Sequence, residues 1–410
     1  MNVILYAVPF FFLLIFIELL IEKKKGTDYY RVNDSINSLT AGVLSRMTGI
    51  VKQLLPLTVY VVAYEQLALF QMRSSWWMWV TAFVLYDFCY YWNHRLGHEM
   101  NILWAAHVVH HSSEEYNLTT ALRQSGSSFF SWVFYLPMAL LGFDPVVLIT
   151  VGSLNLIYQF WVHTRHIPKL GFYEWVFVTP SNHRVHHAQN QIYIDRNYGG
   201  VFILWDRLFG SFQEELDEDK PIYGIRKALK SWNPLWANVH VYSQLGQDCW
   251  HANRWQDKLL IWFKRTGWRP ADVEKNYPLS KVDLTQFRKF DISLSLLNKC
   301  YSLMQYSLVV FIGLLLMMNV SAFALAEQLL VVLFVIYGSI SAGLVLENNP
   351  LSVHLEWIKY SLIMVTLMVY TLPVWIEWTL GAGILINSIL LLFKKADIIT
   401  TTGSMIEANN

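Results

Sequence analysis

The histidines of this chain are the residues whose number and spacing best suit chemistry. Ten of the thirteen lie between His94 and His187, and eight of these form three short clusters. The clusters are an HxxxH at His94 and His98, an HxxHH at His107, His110 and His111, and a second HxxHH at His183, His186 and His187. On a helix, residues three and four apart share a face, so each cluster can present two or three imidazoles to one point. This spacing predicts a metal site.

The number of imidazoles exceeds what one structural ion needs. A structural zinc takes four ligands and usually includes thiolates, whereas the three cysteines here are widely spaced and form no CxxC pair. His163, at the end of an apolar run, is a ninth predicted ligand, and His166 remains open as a ligand or a loop residue. Nine imidazoles predict a site for two ions. Imidazole suits iron, zinc, copper and nickel, so the spacing alone does not choose the metal.

Three carboxylates near the clusters are candidate catalytic groups. Asp87 lies in an apolar run, seven residues before His94. Seven residues are about two helical turns, so the two side chains share a predicted helical face. A charged residue inside a spanning helix costs about 2.5–3.5 kcal/mol on insertion scales, and such residues are usually functional. Metal-bound imidazoles commonly donate their second N–H to a carboxylate. We predict that Asp87 orients a ligand or relays a proton, and that Glu99 and Asp195 are further catalytic candidates.

The composition of the chain predicts an integral membrane protein. Of its 410 residues, 54% are hydrophobic and only 15% are charged, against about 25% charged in a soluble domain. The net charge is +1, and no Lys/Arg-rich tract is present, which argues against a nucleic-acid partner.

Long apolar runs predict the elements that position the histidines. In the N-terminal half they predict spans at 3–21, a bent span at 38–72, a span at 75–93, and a helical hairpin at 129–143 and 145–163. In the C-terminal third they predict four more spans at 302–323, 325–346, 355–377 and 379–393. Lys23, Lys24 and Lys25 follow the first run, which places that end in the cytoplasm. If successive spans cross in alternate directions, the C-terminal end of the run at 75–93 and both ends of the hairpin lie at the cytoplasmic face. All the histidine clusters then lie at that face.

These patterns together predict an all-α fold. It is a polytopic bundle of membrane helices with a cytoplasmic, histidine-rich cap that holds a dinuclear metal site. The predicted domains are N-terminal transmembrane helices at 1–75, a catalytic domain at 76–225, an extension of the cap at 226–300 and C-terminal transmembrane helices at 301–410.

The histidine clusters and their surroundings resemble a known family of membrane enzymes. The segments are WNHRLGHEMNILWAAHVVHHSSEEYNLTTALRQS (92–125), YQFWVHT (158–164) and PSNHRVHHAQNQIYIDRNYGGVFILWDRLFGSFQEE (180–215). They resemble the fatty acid hydroxylase/sterol desaturase superfamily and, within it, the alkylglycerol monooxygenases. The resemblance is strong over about 80–225 and weaker outside that range.

The resemblance implies a di-iron enzyme that uses O₂ to hydroxylate a lipid C–H bond. The nine histidines would then be the iron-site residues, and Glu99 would lie near the cofactor or the active site. The implied reaction cleaves an alkylglycerol ether to a fatty aldehyde and a glycerol derivative, with tetrahydrobiopterin as a possible cofactor. The implied location is the bacterial inner membrane or the endoplasmic reticulum, with the site on the cytoplasmic face.

Two alternatives remain open at the level of the sequence. The first keeps the superfamily but makes the protein a sterol or fatty acid hydroxylase or desaturase that takes electrons from an external donor protein. No HPGG-type haem-binding segment of a fused cytochrome is present. The second is a metal-binding membrane transporter or sensor. Transporters hold their ligands near the middle of spans, whereas these clusters lie at predicted span ends and in the cap.

Overall fold

Helices are the main regular secondary structure in the part of the chain that the structure describes. That part of the computed structural model comprises residues 3–52, 54–127, 129–280, 282–370 and 373–408. Within these ranges two isolated β-bridges occur but no β-strand. The all-α prediction is therefore confirmed.

The helices fall into an N-terminal series, a middle series of short elements and a C-terminal series of long apolar helices. The N-terminal series is α1 (Val3–Lys25), α2 (Val32–Lys52), α3 (Leu54–Leu67), α4 (Trp76–Glu99), α5 (Asn101–His111), α6 (Leu118–Ala121), α7 (Leu136–Leu140) and α8 (Pro145–Trp161). The middle series is α9 (Pro180–His186), α10 (Leu204–Leu208), α11 (Pro234–His251), α12 (Trp255–Phe263) and α13 (Ala271–Asn276). The C-terminal series is α14 (Leu296–Met318), α15 (Leu325–Leu346), α16 (Leu351–Val369) and α17 (Val374–Ala408).

Four helices among the described residues are long and apolar enough to cross a membrane. They are Leu296–Met318, Leu325–Leu346, Leu351–Val369 and Val374–Phe393. The sequence predicted four spans in this third of the chain, although the first, third and fourth begin several residues earlier than expected. The protein is an integral membrane protein.

The predicted N-terminal spans have a more varied outcome. The run at 38–72 forms two helices, α2 and α3, which are long and apolar enough to cross a membrane only when they are taken together as one bent span. The helices α1 and α4 are not among the four given above. In α4 the cause is the many Trp and Tyr residues and Asp87, which lower its mean hydropathy. That α1 and α4 cross the membrane remains a prediction.

The chain separates into two compact units, which are described in turn. The first comprises residues 1–31, 48–229 and 238–289, and the second comprises 32–47, 230–237 and 290–410. The four-part domain division remains a prediction.

The first unit is built on α4, which packs against both α5 and α8. Its apolar core includes Tyr60, Ala82 and Val151, which come from α3, α4 and α8. The predicted hairpin is present as a short 3₁₀ turn followed by α7, a turn and then α8. Gly142 occupies that turn with φ of +88°, and a Cβ there would lie 2.0 Å from the Phe70 carbonyl oxygen. Only glycine fits both the conformation and the close approach.

The second unit buries an ion pair among its apolar helices. Lys359 and Glu356, both on α16, are fully buried, and the Lys359 Nζ lies 2.7 Å from the Glu356 Oε1. Gln305 of α14 accepts a second hydrogen bond from Lys359 at 2.6 Å, and Tyr301 donates to Glu356 at 2.6 Å. Because both charges have polar partners, the pair is tolerated in an apolar bundle.

Candidate metal centre

The nine histidines predicted as metal ligands lie in two compact groups. In each group the candidate ligand atoms all lie within 4.8 Å of one another. The first group is His94, His98, His107, His111 and His186. The second group is His110, His163, His183 and His187. The structure therefore brings together the whole predicted set, from positions up to 93 residues apart.

The two HxxHH clusters are divided between the groups in opposite ways. On α5, His107 and His111 face the first group while His110 faces the second. At α9 the arrangement is reversed, because His183 and His187 face the second group and His186 faces the first. Residues four apart lie on one helical face, and the third residue of each cluster is rotated away from them. Each cluster thus serves both groups rather than a single point.

Local sequence features place α9 in this arrangement. Thr179 caps the helix by accepting a hydrogen bond from the Asn182 backbone, and the Asn182 side chain accepts one from the Thr179 backbone. Pro180 occupies the first helical position, where its missing N–H leaves no bond unmade. The cap starts the helix one turn before its first histidine.

Four of the nine rings are held by backbone carbonyl groups through Nδ1. His94 contacts the Tyr198 oxygen at 2.7 Å, and His110 contacts the Arg123 oxygen at 2.9 Å. His163 and His186 make the same contact with the Gln159 and Arg196 oxygens, at 2.8 and 2.9 Å. A ring that donates from Nδ1 presents a lone pair at Nε2, which is the tautomer that binds a metal ion.

The remaining ring nitrogens fit a metal ion. The Nε2 atoms of His98, His186 and His187 are buried and have no hydrogen-bond partner. The Nε2 atoms of His94 and His107 lie 3.1 Å apart, and those of His163 and His183 also lie 3.1 Å apart. Buried polar atoms are rarely left without a partner. These Nε2 atoms have no partner, or only another ring nitrogen. Their lone pairs are therefore available to bind a metal ion.

Burial keeps these imidazoles neutral. Desolvation lowers the pKa of His110 to about 4 and the pKa of His187 well below its usual value, and neighbouring rings add to the effect at His187. A neutral imidazole has a free lone pair at physiological pH, which a metal ion requires.

Asp87 is fully buried and holds a loop rather than a histidine. Its carboxylate accepts hydrogen bonds from the Asn155 side chain at 2.7 Å and the Val201 backbone at 2.8 Å. It also accepts from the Phe202 backbone and the Trp205 indole, both at 3.0 Å. Its hydrogen-bond partners in the described chain therefore lie on α8 and on the segment that follows Gly200. Its predicted catalytic role remains a prediction.

Glu99 and Asp195 lie at the edge of the first group. Glu99 accepts hydrogen bonds from Arg95 at 3.1 Å and from the Tyr198 hydroxyl at 3.4 Å. Asp195, with φ of +58°, accepts from Arg265 at 3.1 Å, and burial raises the pKa of its carboxyl. Neither residue belongs to a histidine group. His166, which the sequence left open, also lies outside both groups, and its ring packs against Tyr29 at 4.9 Å.

Two carboxylates that support the site, Asp206 and Glu18, were missed by the sequence reasoning. Asp206 accepts from the backbones of Tyr198 and Gly199, both at 2.7 Å, and thereby fixes the carbonyl that holds His94. Glu18 of α1 is buried, accepts from the Leu118 backbone at 2.9 Å and from the hydroxyl of Thr164, the residue after His163. Two signals were available: the charge of Glu18 inside the predicted span at 3–21, and the pair Gly199-Gly200, which indicates a close backbone approach.

Comparisons with known proteins agree with this geometry. Residues 79–211 match the model of the fatty acid hydroxylase family. Human alkylglycerol monooxygenase is 37% identical over 357 residues, which cover 86% of this chain and 80% of that protein. The alkylglycerol monooxygenase of Danio rerio is 36% identical over 362 residues, covering 87% and 80%. An ornithine lipid hydroxylase of Rhizobium tropici is 27% identical over 201 residues, covering 47% and 59%. No solved structure matches the chain.

The fold and the site define a helical integral membrane oxidoreductase of the fatty acid hydroxylase class, with a buried histidine cluster suited to metal. Within that class, the chain belongs to the alkylglycerol monooxygenase family. It is a lipid monooxygenase.

Proposed function

We propose that this protein is a di-iron monooxygenase that cleaves the ether bond of alkylglycerol lipids. The observation that carries the proposal is the pair of histidine groups, with five and four imidazoles, in a chain whose relatives are named alkylglycerol monooxygenases. The proposed cofactors are two iron ions and tetrahydrobiopterin, and the proposed site faces the cytoplasm, in a bacterial inner membrane or the endoplasmic reticulum.

The proposed reaction hydroxylates the carbon next to the ether oxygen. One oxygen atom of O₂ enters that C–H bond, and the other leaves as water after it takes up two electrons and two protons. The reduced pterin supplies both electrons and is oxidised. The resulting hemiacetal collapses, because its hydroxyl proton is lost and its C–O bond to glycerol breaks. The products are a fatty aldehyde and a glycerol derivative with a free hydroxyl group.

The bound iron ions would supply the activation of O₂, and the residues of the chain would supply their geometry. The first histidine group would hold one ion and the second group the other. The carbonyl groups of Tyr198 and Arg123 would fix the orientation of His94 and His110. Because the rings are buried, the groups also exclude bulk water from the reacting carbon.

Metal analysis of the purified full chain tests the ligand assignment. We expect about two irons for each chain, and His94→Ala should lower the bound iron and abolish turnover. The matched control is His354→Ala, because His354 is exposed on α16 and outside both groups. Full activity of His94→Ala with full iron would refute the assignment, and zinc alone without a redox response would favour a metal transporter or sensor.

Product analysis tests the substrate and the electron donor. The protein in bilayer nanodiscs should convert a 1-O-alkylglycerol to the fatty aldehyde when supplied with O₂ and reduced tetrahydrobiopterin. Turnover of a sterol or a fatty acid with a cytochrome or ferredoxin donor, and none with the pterin, would favour the alternative of a sterol or fatty acid hydroxylase.

A further inference from the structure

The helix α12 carries a stripe of large apolar residues on its outer face. Trp255, Leu259 and Phe263 are 79%, 67% and 62% exposed, and their spacing of four places them on one side of the helix. Trp250, in the last turn of α11, is 82% exposed, and its carbonyl oxygen lies 3.5 Å from the Lys258 Nζ. We call these four residues the α12 stripe.

The opposite face of α12 is firmly packed. Ile261 is fully buried and lies in an apolar cluster with Ala105, Leu245 and Val273. The helix therefore has an anchored inner face and an apolar outer face. A contiguous exposed apolar patch of this kind is typical of an interaction surface.

The surroundings of the stripe are basic. Arg254, Lys264 and Arg265 are exposed at the two ends of α12, and the Lys258 Nζ lies 5.3 Å from the centre of the Trp255 ring. Asp257 is the acidic residue within α12. A helix with Trp, Leu and Phe on one face and Lys or Arg at its borders is suited to the headgroup region of a bilayer, and its cations favour anionic lipids.

The place of α12 in the first unit also favours a bilayer. The helix α4 has 24 residues, so it is about 36 Å long, close to the thickness of a bilayer. Exposed Trp76 and Trp77 mark its first turn. At its other end, the Asn101 side chain donates to the Ile261 oxygen at 2.8 Å and the Asn101 backbone donates to the Lys264 oxygen at 3.0 Å. Aromatic residues at both ends are typical of a protein that meets two membrane–water interfaces.

A second copy of the chain is a poorer fit for this surface. A helix of nine residues is about 13 Å long, whereas a stable dimer usually buries about 800 Å² on each partner. The stripe is too short to supply that area by itself.

We infer that the α12 stripe docks into the headgroup region of an anionic lipid bilayer. The docked segment is joined to the histidine site, because the Thr266 hydroxyl donates to the His98 carbonyl oxygen and the Thr266 backbone donates to the Glu99 carbonyl oxygen at 3.3 Å. Docking therefore holds the end of α4 that carries His98 beside the lipid surface.

Depth measurements on the full chain in nanodiscs test this inference. The probe is an environment-sensitive fluorophore on Leu259→Cys, and the matched control is the same label on Lys275→Cys, an exposed position of α13. The accessible thiols Cys249 and Cys300 are replaced by serine, and Cys89 is buried. In discs that contain phosphatidylglycerol, we expect the label at 259 to be several-fold less accessible to aqueous iodide than the label at 275. Spin-labelled lipids should quench it several-fold more strongly.

Three results would overturn the inference. The first is equal iodide quenching at 259 and 275 in anionic discs. The second is protection at 259 that is the same in purely zwitterionic discs, since this would remove the role of the basic border. The third is protection that appears only when two copies share a disc, which would assign the stripe to a second copy of the chain.

Discussion

Replacement of Asp87 separates an anchoring role from a proton-relay role. Asp87→Ala leaves four buried or partly buried donors without an acceptor, namely those of Asn155, Val201, Phe202 and Trp205. Each hydrogen bond to a charged group contributes about 1.5–3 kcal/mol, but bonds to one carboxylate are not additive. A buried donor left without an acceptor costs about 1–3 kcal/mol, so the loss of all four bonds should cost about 3–5 kcal/mol. We expect the free energy of unfolding to fall by that amount.

The assay is thermal unfolding of the purified chain in detergent. At about 2–4 °C for each kcal/mol in a large domain, Tm should fall by roughly 10 °C. Asp87→Asn should show a smaller loss, because the oxygen that accepts from Asn155 and Val201 can remain while its amide faces the other two donors. The matched control is Asp217→Asn, since Asp217 is exposed and its Tm should not change.

A different pattern would refute the anchoring role. If Asp87→Asn kept the wild-type Tm and metal content but lost turnover, Asp87 would act as the proton relay that the sequence allows. If Asp87→Ala also kept the wild-type Tm, the four hydrogen bonds would contribute little to stability.

Three further predictions concern packing and buried charge, and each is checked by Tm in detergent. Gly200→Ala should lower Tm because its Cβ would lie 2.8 Å from the Asp87 Oδ1. The control Gly246→Ala, which has open space around it, should leave Tm unchanged or raise it slightly, and equal effects of the two variants would contradict the close approach at Gly200. Lys359→Met should destabilise the second unit by about 3–5 kcal/mol because Glu356 loses its cation, and adding Glu356→Gln should restore most of that loss; no recovery in the double variant would argue against the ion pair. Glu18→Ala should lower Tm more than Glu18→Gln, because the amide can still accept from Leu118 or Thr164, and identical losses would argue against those bonds.

The sequence by itself determined the class of fold and indicated which histidines lie together in the two groups. A long apolar run crosses a membrane as a helix, because the bilayer core offers no water and a helix pairs the backbone N–H and C=O groups within the segment. The spacing of the HxxxH and HxxHH clusters also follows from local helical geometry. For this reason eight of the nine could be predicted from local spacing, and His163 was added because it ends an apolar run.

The sequence could not determine how the nine rings are shared. The division into groups of five and four depends on the rotation of α5 and α9 about their axes, which packing with distant elements sets. The supports of the rings are equally non-local. Asp87 reaches residues 114, 115 and 118 positions away, and Glu18 reaches Thr164 across 146 positions.

The tertiary structure alone decided which polar groups hold the site. The sequence cannot indicate that the backbone carbonyl of Tyr198 holds His94, because every residue has a backbone carbonyl. A carboxylate likewise looks the same in sequence whether it anchors a loop, as Asp87 does, or pairs with a partly exposed arginine, as Glu99 does. The sequence gives residue type and local spacing directly. The hydrogen-bond partners of a buried group, however, are set only when distant segments pack together.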